Sequence, residues 1–493
     1  MKKAIALLRP VVSLILVPAA VFSVAAQTNY TWTGAAGSDL NWSTPGNWTP
    51  PGPPGAADNA QFFDTGAASD TSTINNIVSG SLSINSLWYG QTNGVHNTQI
   101  APGVTLTLGG ASSLGHALLV GTETQPSSTE VVNATLSGAG GTLRIDSTNA
   151  DLLIRQTHAN SGSHSANLDL SGLDTFTANL GRVQVGVGNT TLRRATGNLI
   201  LARTNTLTLW GASPQLLVSD NNGNNNGNST LSAVTLGVQN RIFADTIRIG
   251  GQKCSGAMTL GSPGGSLYLR GSDGLSPLAE WDIGDNSSQS GSGNPSRGNV
   301  DLSAGTADIL ANTIYLGRGQ TGNGGGGSAG FLTLGAGTLN VNTLEIAYQN
   351  SASAVGAVSG TVTVGSNGLF NAGAVVNVYS NLDMAHSAGS PAGITATLNI
   401  NGGIVNVLGT LTHGGGSENY NVTNGLLNLP PHSSLPAGVV TVDGGVITNV
   451  DVLQASNSLV ITHNGIIASP KVFDLARRVR PRGMFRPCPA ACG

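Results

Sequence analysis

The stretch NTIYLG, Asn312 to Gly317, returns thirty residues later as NTLEIA, Asn342 to Ala347. In both, apolar residues alternate with polar ones, the period of a strand that buries one face. Similar phrases recur along the chain: LTLGG (Leu106–Gly110), VQVG (Val183–Gly186), IRIG (Ile247–Gly250), MTLG (Met258–Gly261), LTLG (Leu332–Gly335) and VTVG (Val362–Gly365), with LNING (Leu398–Gly402) as a variant. LTLG at 332 and VTVG at 362 are again thirty apart, whereas Gly250 and Gly261 are separated by only eleven. Short strands repeating at irregular intervals between Gly and Asn turns are the mark of a β-solenoid, in which each rung buries its apolar face by stacking on the next. Asn205, Asn312 and Asn342 stand at strand starts, where Asn bonds turn backbone, and stacking predicts that such residues form ladders. The competing architecture is one or more β-sandwiches, which also require frequent turns. The near-identical phrases and the scarcity of aromatics favour the solenoid.

Composition agrees with β structure rich in turns. The chain has 493 residues, with 70 Gly, 9% charged and 4% aromatic, yet it remains 39% hydrophobic. A typical soluble domain carries roughly 25% charged residues. Low charge with ample apolar content is not the recipe for disorder. Of 21 basic residues, three precede residue 10 and six follow residue 470, which leaves 12 basic against 23 acidic residues between 27 and 470, a net of −11. Such a body is unsuited to nucleic acid, whose phosphates require clustered Lys and Arg.

Both ends differ from the middle. MKKAIALLRPVVSLILVPAAVFSVAAQ has basic Lys2, Lys3 and Arg9, an apolar run from Val11 to Val24, and small residues at Val24-Ala25-Ala26. This reads as a secretory signal peptide over 1–26, with an apolar core too short for a retained membrane anchor. No later stretch approaches the ~20 apolar residues of a transmembrane helix. Residues 466–493 lose the repeat, become basic, and read as a disordered tail. Cys488 and Cys492 in CPAAC either pair in an oxidising compartment or are incidental; with Cys254 they are too few for a disulfide scaffold.

The segment YTWTGAAGSDLNWSTPGNW, Tyr30 to Trp48, holds three of the chain's six tryptophans: Trp32, Trp42 and Trp48. A solenoid end exposes unpaired strand backbone and must be covered. The segment therefore reads as an N-terminal cap rather than a ligand-stacking platform. PPGPPG (Pro50–Gly55) turns the chain and AQFFD (Ala60–Asp64) adds a strand. The domain plan is a cap with first strands over 27–90, then repeats over 91–465. Gly/Asn-rich insertions, NNGNNNGNS (Asn221–Ser229), NSSQSGSGNPSRGN (Asn286–Asn299) and TGNGGGGSAG (Thr321–Gly330), are expected as loops on the outside.

The same N-terminal pattern, continued by GAADNAQFFD, resembles the start of exported bacterial autotransporter-associated β-strand repeat proteins. LDLSGLDTFTANLGRVQVGVG (Leu168–Gly188), AVTLGVQNRIFADTIRIGGQK (Ala233–Lys253) and TLNINGGIVNV (Thr397–Val407) extend the resemblance over about residues 30 to 465. It implies a right-handed parallel β-helix, exported to the surface or exterior of a Gram-negative-type cell, with no defined catalytic residues. Many such proteins end in a Pro-Glu-Pro sorting motif and an apolar span. This chain has neither, only the basic ARRVRPRGMFRP, and it lacks the long amphipathic strands of a translocator barrel.

The search for chemistry yields few candidates. Cleaving a glycosidic bond needs two carboxylates flanking it, and lyase chemistry needs a base with cationic help. Asp282, Asp285 and Asp301 form the densest acidic stretch, with Arg270 and Arg297 as candidate cations. The plainer reading of Asp282 and Asp285, beside Gly284, is turn capping. Asp169 and Asp174 read as a solvated face. His158 and His164 flank a Ser/Gly loop, QTHANSGSHS, which reads as a polar loop; the eight histidines form no zinc or metalloprotease spacing, so no metal or cofactor is implied. Trp88, Tyr89 and Trp210 either stack sugars or pack the core. The expected function is a passive structural or adhesive module that presents polar faces and loops to polysaccharide or cell-surface components; self-association through the solenoid ends is a separate, third reading. The alternative is a carbohydrate-active enzyme on the same fold, although fold alone is weak ground for function.

Overall fold

A computed structural model describes residues 27–469, except 126, 223–226, 289–292, 322–324, 355, 366–372, 390–392, 436–437 and 454–457. The segment 1–26 and the tail from 470, with Cys488 and Cys492, lie outside the described residues. The described residues are all-β apart from one short 3-10 turn at Pro45–Asn47, and their strands join one sheet. No helix among the described residues is long and apolar enough to cross a membrane.

The two opening phrases lie directly one above the other. Thr313, Ile314, Tyr315 and Leu316 pair in parallel with Thr343, Leu344, Glu345 and Ile346, and Asn342 Nδ2 donates to Asn312 Oδ1 at 2.9 Å. The strand that contains NTLEIA, Ser328–Gln349, makes a whole turn by itself. Its three parts pair back onto Ser296–Leu302, Ala307–Ala311 and Thr313–Arg318. They pair forward onto Val358–Val364, Ala374–Val378 and Asn381–Ser387. Three parallel columns thus run along the molecule, a solenoid-like winding with three strands per turn.

The core follows from the period of two. In the third column Ile247, Trp281, Ile314, Leu344 and Leu382 occupy one register position on successive turns, each no more than 1% exposed. The next register position, Arg248, Asp282, Tyr315, Glu345 and Asp383, points away from that core. Asparagine ladders stitch the turns together, as the strand-start asparagines predict: Asn240 accepts from Asn205 at 2.9 Å. A longer run links Asn340, Asn377, Asn406 and Asn428 at 2.9, 2.8 and 3.3 Å.

The apolar-x-apolar-Gly phrase marks corners. VQVG, IRIG and IYLG end third-column strands, while MTLG, LTLG and VTVG end first-column strands. At the third-column corner, Gly186, Ser219, Gly250, Gly284, Gly317, Ala347 and Ala385 all have left-handed φ between 56° and 71° or, for Gly284, 74°. Gly250 also needs its missing side chain, because a Cβ there would strike the Arg297 carbonyl. The three Gly/Asn-rich insertions and the His158–His164 loop all leave from this corner, between the third column and the first. The segment 271–277 leaves from the corner between the second column and the third.

The N-terminal segment closes its end of the core. Trp32, Trp42 and Trp48 are at most 2% exposed, and Trp48 meets Trp32 and Trp42 edge-on at centroid distances of 5.1 and 5.3 Å. Phe62 packs against all three. Trp48 Nε1 donates to the Trp42 carbonyl and Trp42 Nε1 to Asn76 Oδ1, both at 2.8 Å. Asn29–Trp32 pairs in parallel with Asn59–Phe62 on one side and antiparallel with Trp48–Thr49 on the other, so a reversed strand covers the first edge. At the other end, Ile466 and Ile467 still pair with Val446 and Ile447, two residues past the expected limit of the repeats.

Candidate functional site

The polar chemistry of the chain concentrates on the outer side of the third column. The left-handed residue at its corner acts as a bulge and resets the alternation. Asp282 therefore points outward, Ile283 inward, and Asp285, just past Gly284, outward again. The same bulge stacks Asp285, Arg318, Tyr348 and His386 on successive turns.

Around Arg248 these positions form a buried ion cluster. Arg248 reaches Asp220 at 3.1 Å, Asp285 at 3.0 Å and Asp282 at 3.5 Å. Arg318 bridges Asp282 at 3.2 Å and Glu280 at 3.1 Å. The side chains of Asp282 and Asp285 are 0% exposed. Burial pushes the Asp220 and Asp282 carboxyls above their usual range, in Asp282 with help from the neighbouring Asp285 charge. Burial opposes the charge on Arg248, but Asp285, Asp220 and Asp282 outweigh it and raise the guanidinium's pKa. Carboxylates without exposed surface and bonded to guanidiniums offer no oxygen to a bound sugar; here they tie turns together.

A second cluster adjoins it. Glu345 and Asp383 share a register position, and burial first, then the Asp383 charge and hydrogen bond, push the Glu345 carboxyl up to about 8. His386 Nδ1 lies 2.9 Å from Asp383 Oδ2, and its ring stacks on Tyr348 with centroids 4.6 Å apart. Burial also raises the Tyr315 phenol, to about 12.

Other sequence candidates go elsewhere. The structure brings Asp282 and Asp285 together but sets Asp301 on the first column, where its Oδ1 accepts the Ser303 N–H at 2.9 Å. Arg270 pairs with Asp308 at 2.8 Å, and Arg297 lies over the Phe331 ring at 5.0 Å, so neither joins the cluster. Asp169 accepts the Ser171 N–H, and Asp174 faces Arg203 at 3.7 Å. His158 and His164 do meet, with rings 6.1 Å apart, and His164 Nε2 is spent on the Arg194 carbonyl at 2.7 Å. No group of three or more His, Cys, Asp or Glu among the described residues is arranged to hold a metal. Tyr89 is core, its hydroxyl on Thr98; Trp88 is half-buried and donates to the Gly121 carbonyl; Trp210 is 52% exposed.

Arg248, Arg318, Glu345 and Asp383 escaped the sequence reading. Their signal is a charged residue between two core residues, or just past the corner, as in IRIG, LEIA, LDMA and YLGR. It acquires meaning only once turns are in register. No family model matches the chain, and no curated protein or solved structure matches it.

Proposed function

We propose that this chain is an exported structural and adhesive rod, a right-handed parallel β-helix of the autotransporter-associated repeat kind, acting at the surface or exterior of a Gram-negative-type cell. Parallel crossovers in one sheet are right-handed in nearly all proteins, which favours that hand. The observation that carries the reading is the common corner from which the three Gly/Asn-rich insertions leave. It lines polar loops along one flank of a stiff, ladder-stitched body, as suits many weak contacts with polysaccharide or other cell-surface components. The signal-like 1–26 supports export, and the self-contained ion cluster suits cohesion.

A glycan-cleaving enzyme is the second reading. What favours it is Glu345, a carboxyl that holds its proton near neutrality beside Asp383, as an acid catalyst must. Its burial, with Glu345 only 8% exposed, argues against access. The test incubates the full chain with a panel of polysaccharides and reads retention and release of shorter products together. Retention without release supports the adhesive rod. Release that disappears in Glu345→Gln supports the enzyme, and neither retention nor release overturns both.

A further inference from the structure

The corner between the second and third columns carries a different kind of surface. Trp210 follows the second-column strand Thr204–Leu209 and is 52% exposed. Its ring is fixed: Nε1 donates to Asn179 Oδ1 of the preceding turn at 2.7 Å. Asn179 pairs with Thr208, two residues before Trp210. The same device recurs further along. Tyr379 is 49% exposed, its hydroxyl donates to Asn340 Oδ1 at 3.1 Å, and Asn340 pairs with Asn377, two residues before Tyr379. Between them on the ridge lies Leu275, 81% exposed on the segment 271–277, which Ser272 Oγ ties to the Leu209 carbonyl at 2.6 Å. Leu408, 60% exposed, sits one turn beyond Tyr379.

We infer that this ridge binds a neutral, β-linked polysaccharide laid along the long axis of the molecule; the inference deepens the adhesive reading and rests on it. Exposed aromatic rings, each held by its polar end and open on its apolar body, suit the C–H face of a pyranose whose hydroxyls are equatorial. The two rings are five turns apart in register, roughly 24 Å at the spacing of neighbouring strands, so only an extended chain engages both. Charge along this ridge is scattered and largely engaged: Arg144 pairs with Asp146 and Arg270 with Asp308, Asp273 accepts the Leu275 and Ser276 N–H groups, and the exposed Arg241 lies over the Tyr268 ring at 4.6 Å, so the ridge presents no cluster of cations to select a polyanion. A protein partner would require on the order of 800 Å² per side, far more than a few isolated side chains provide.

The test exploits fluorescence. Of the six tryptophans, Trp32, Trp42, Trp48 and Trp281 are buried, Trp88 is half-buried, and Trp210 is the most exposed. The full chain is titrated with cellobiose, with a soluble mixed-linkage β-glucan and with polygalacturonate, reading tryptophan emission and its quenching by acrylamide. The expected result is saturable protection by the β-glucan, about tenfold weaker in Tyr379→Ala and lost in Trp210→Ala together with Tyr379→Ala, with cellobiose much weaker. Retention of the β-glucan is measured alongside, because Trp210→Ala removes the reporter. Retention unchanged in the double variant overturns the ridge while leaving glycan adhesion standing. Binding of polygalacturonate alone does the same. No binding of any of the three also overturns the ridge, and adhesion is then judged by the wider panel.

Discussion

Glu345 and Asp383 lie side by side on consecutive turns, both nearly buried, and burial together with the Asp383 charge raises the Glu345 carboxyl. Arg318, Tyr348, Tyr315 and His386 surround them. Because Glu345 is raised from 4.5 to about 8, the folded chain keeps a proton that the unfolded chain releases. The associated stability is fully present below about 4.5 and is lost as pH rises through about 8. Melting temperature should therefore fall between about pH 5 and pH 8 and level off above that, and Glu345→Gln should flatten that fall. An equal fall in both proteins would remove the Glu345 proton as its cause.

The third-column corner makes a backbone prediction. Gly250→Ala and Gly264→Ala both place a Cβ at left-handed φ, +71° and +76°, but only at Gly250 does the Cβ meet other atoms, the carbonyl of Arg297 first among them. Gly264→Ala should cost roughly 1–2 kcal/mol. Gly250→Ala should cost clearly more, about 3 kcal/mol or above, because backbone must move. Chemical denaturation of the two variants gives the comparison, and equal losses would count against the close approach.

At the N-terminal end, Trp48→Ala should destabilise by about 3–5 kcal/mol, the usual cost of emptying a buried aromatic site. Deleting 27–64 removes the covering strands and bares the edge of Ser86–Tyr89, which pairs with Asn59–Phe62. Light scattering should then detect polymers. A deletion variant that stays monomeric would speak against both the cap and end-to-end association.

Within the ion cluster, Arg248→Ala leaves Asp220, Asp282 and Asp285 short of a partner and should cost about 3–5 kcal/mol. Asp301→Ala loses a single turn hydrogen bond and should cost about 1 kcal/mol. Thermal melts of both variants separate a cohesive role for the cluster from an indifferent one.

Much of the architecture was legible in short phrases. Alternation in IYLG and LEIA gave the strands and their buried face, and the thirty-residue return gave their stacking partner. The clustered tryptophans suggested a cap, and the structure buries Trp32, Trp42 and Trp48 against one another and Phe62. The polar chemistry was far less legible, for a geometric reason. Asp285 stands beside Arg318 and Arg248 because a bulge rotates the chain and register superposes turns. Spacing along the sequence between these residues follows loop length, which differs from turn to turn. Asp301 shows the converse: it is close to Asp285 in sequence and belongs to another column.

The close approaches at the third-column corner also bear on how such a chain changes over generations. A Cβ on Gly298 would strike the Gly284 amide, and one on Gly330 the Gly317 amide, so the backbone nearly touches itself where the 286–299 and 321–330 insertions begin and end. Each turn is thereby fastened before its loop departs. Loops are free to lengthen, shorten or drift while the stack keeps its pitch, and the glycines that fasten them are the positions where drift is least tolerated.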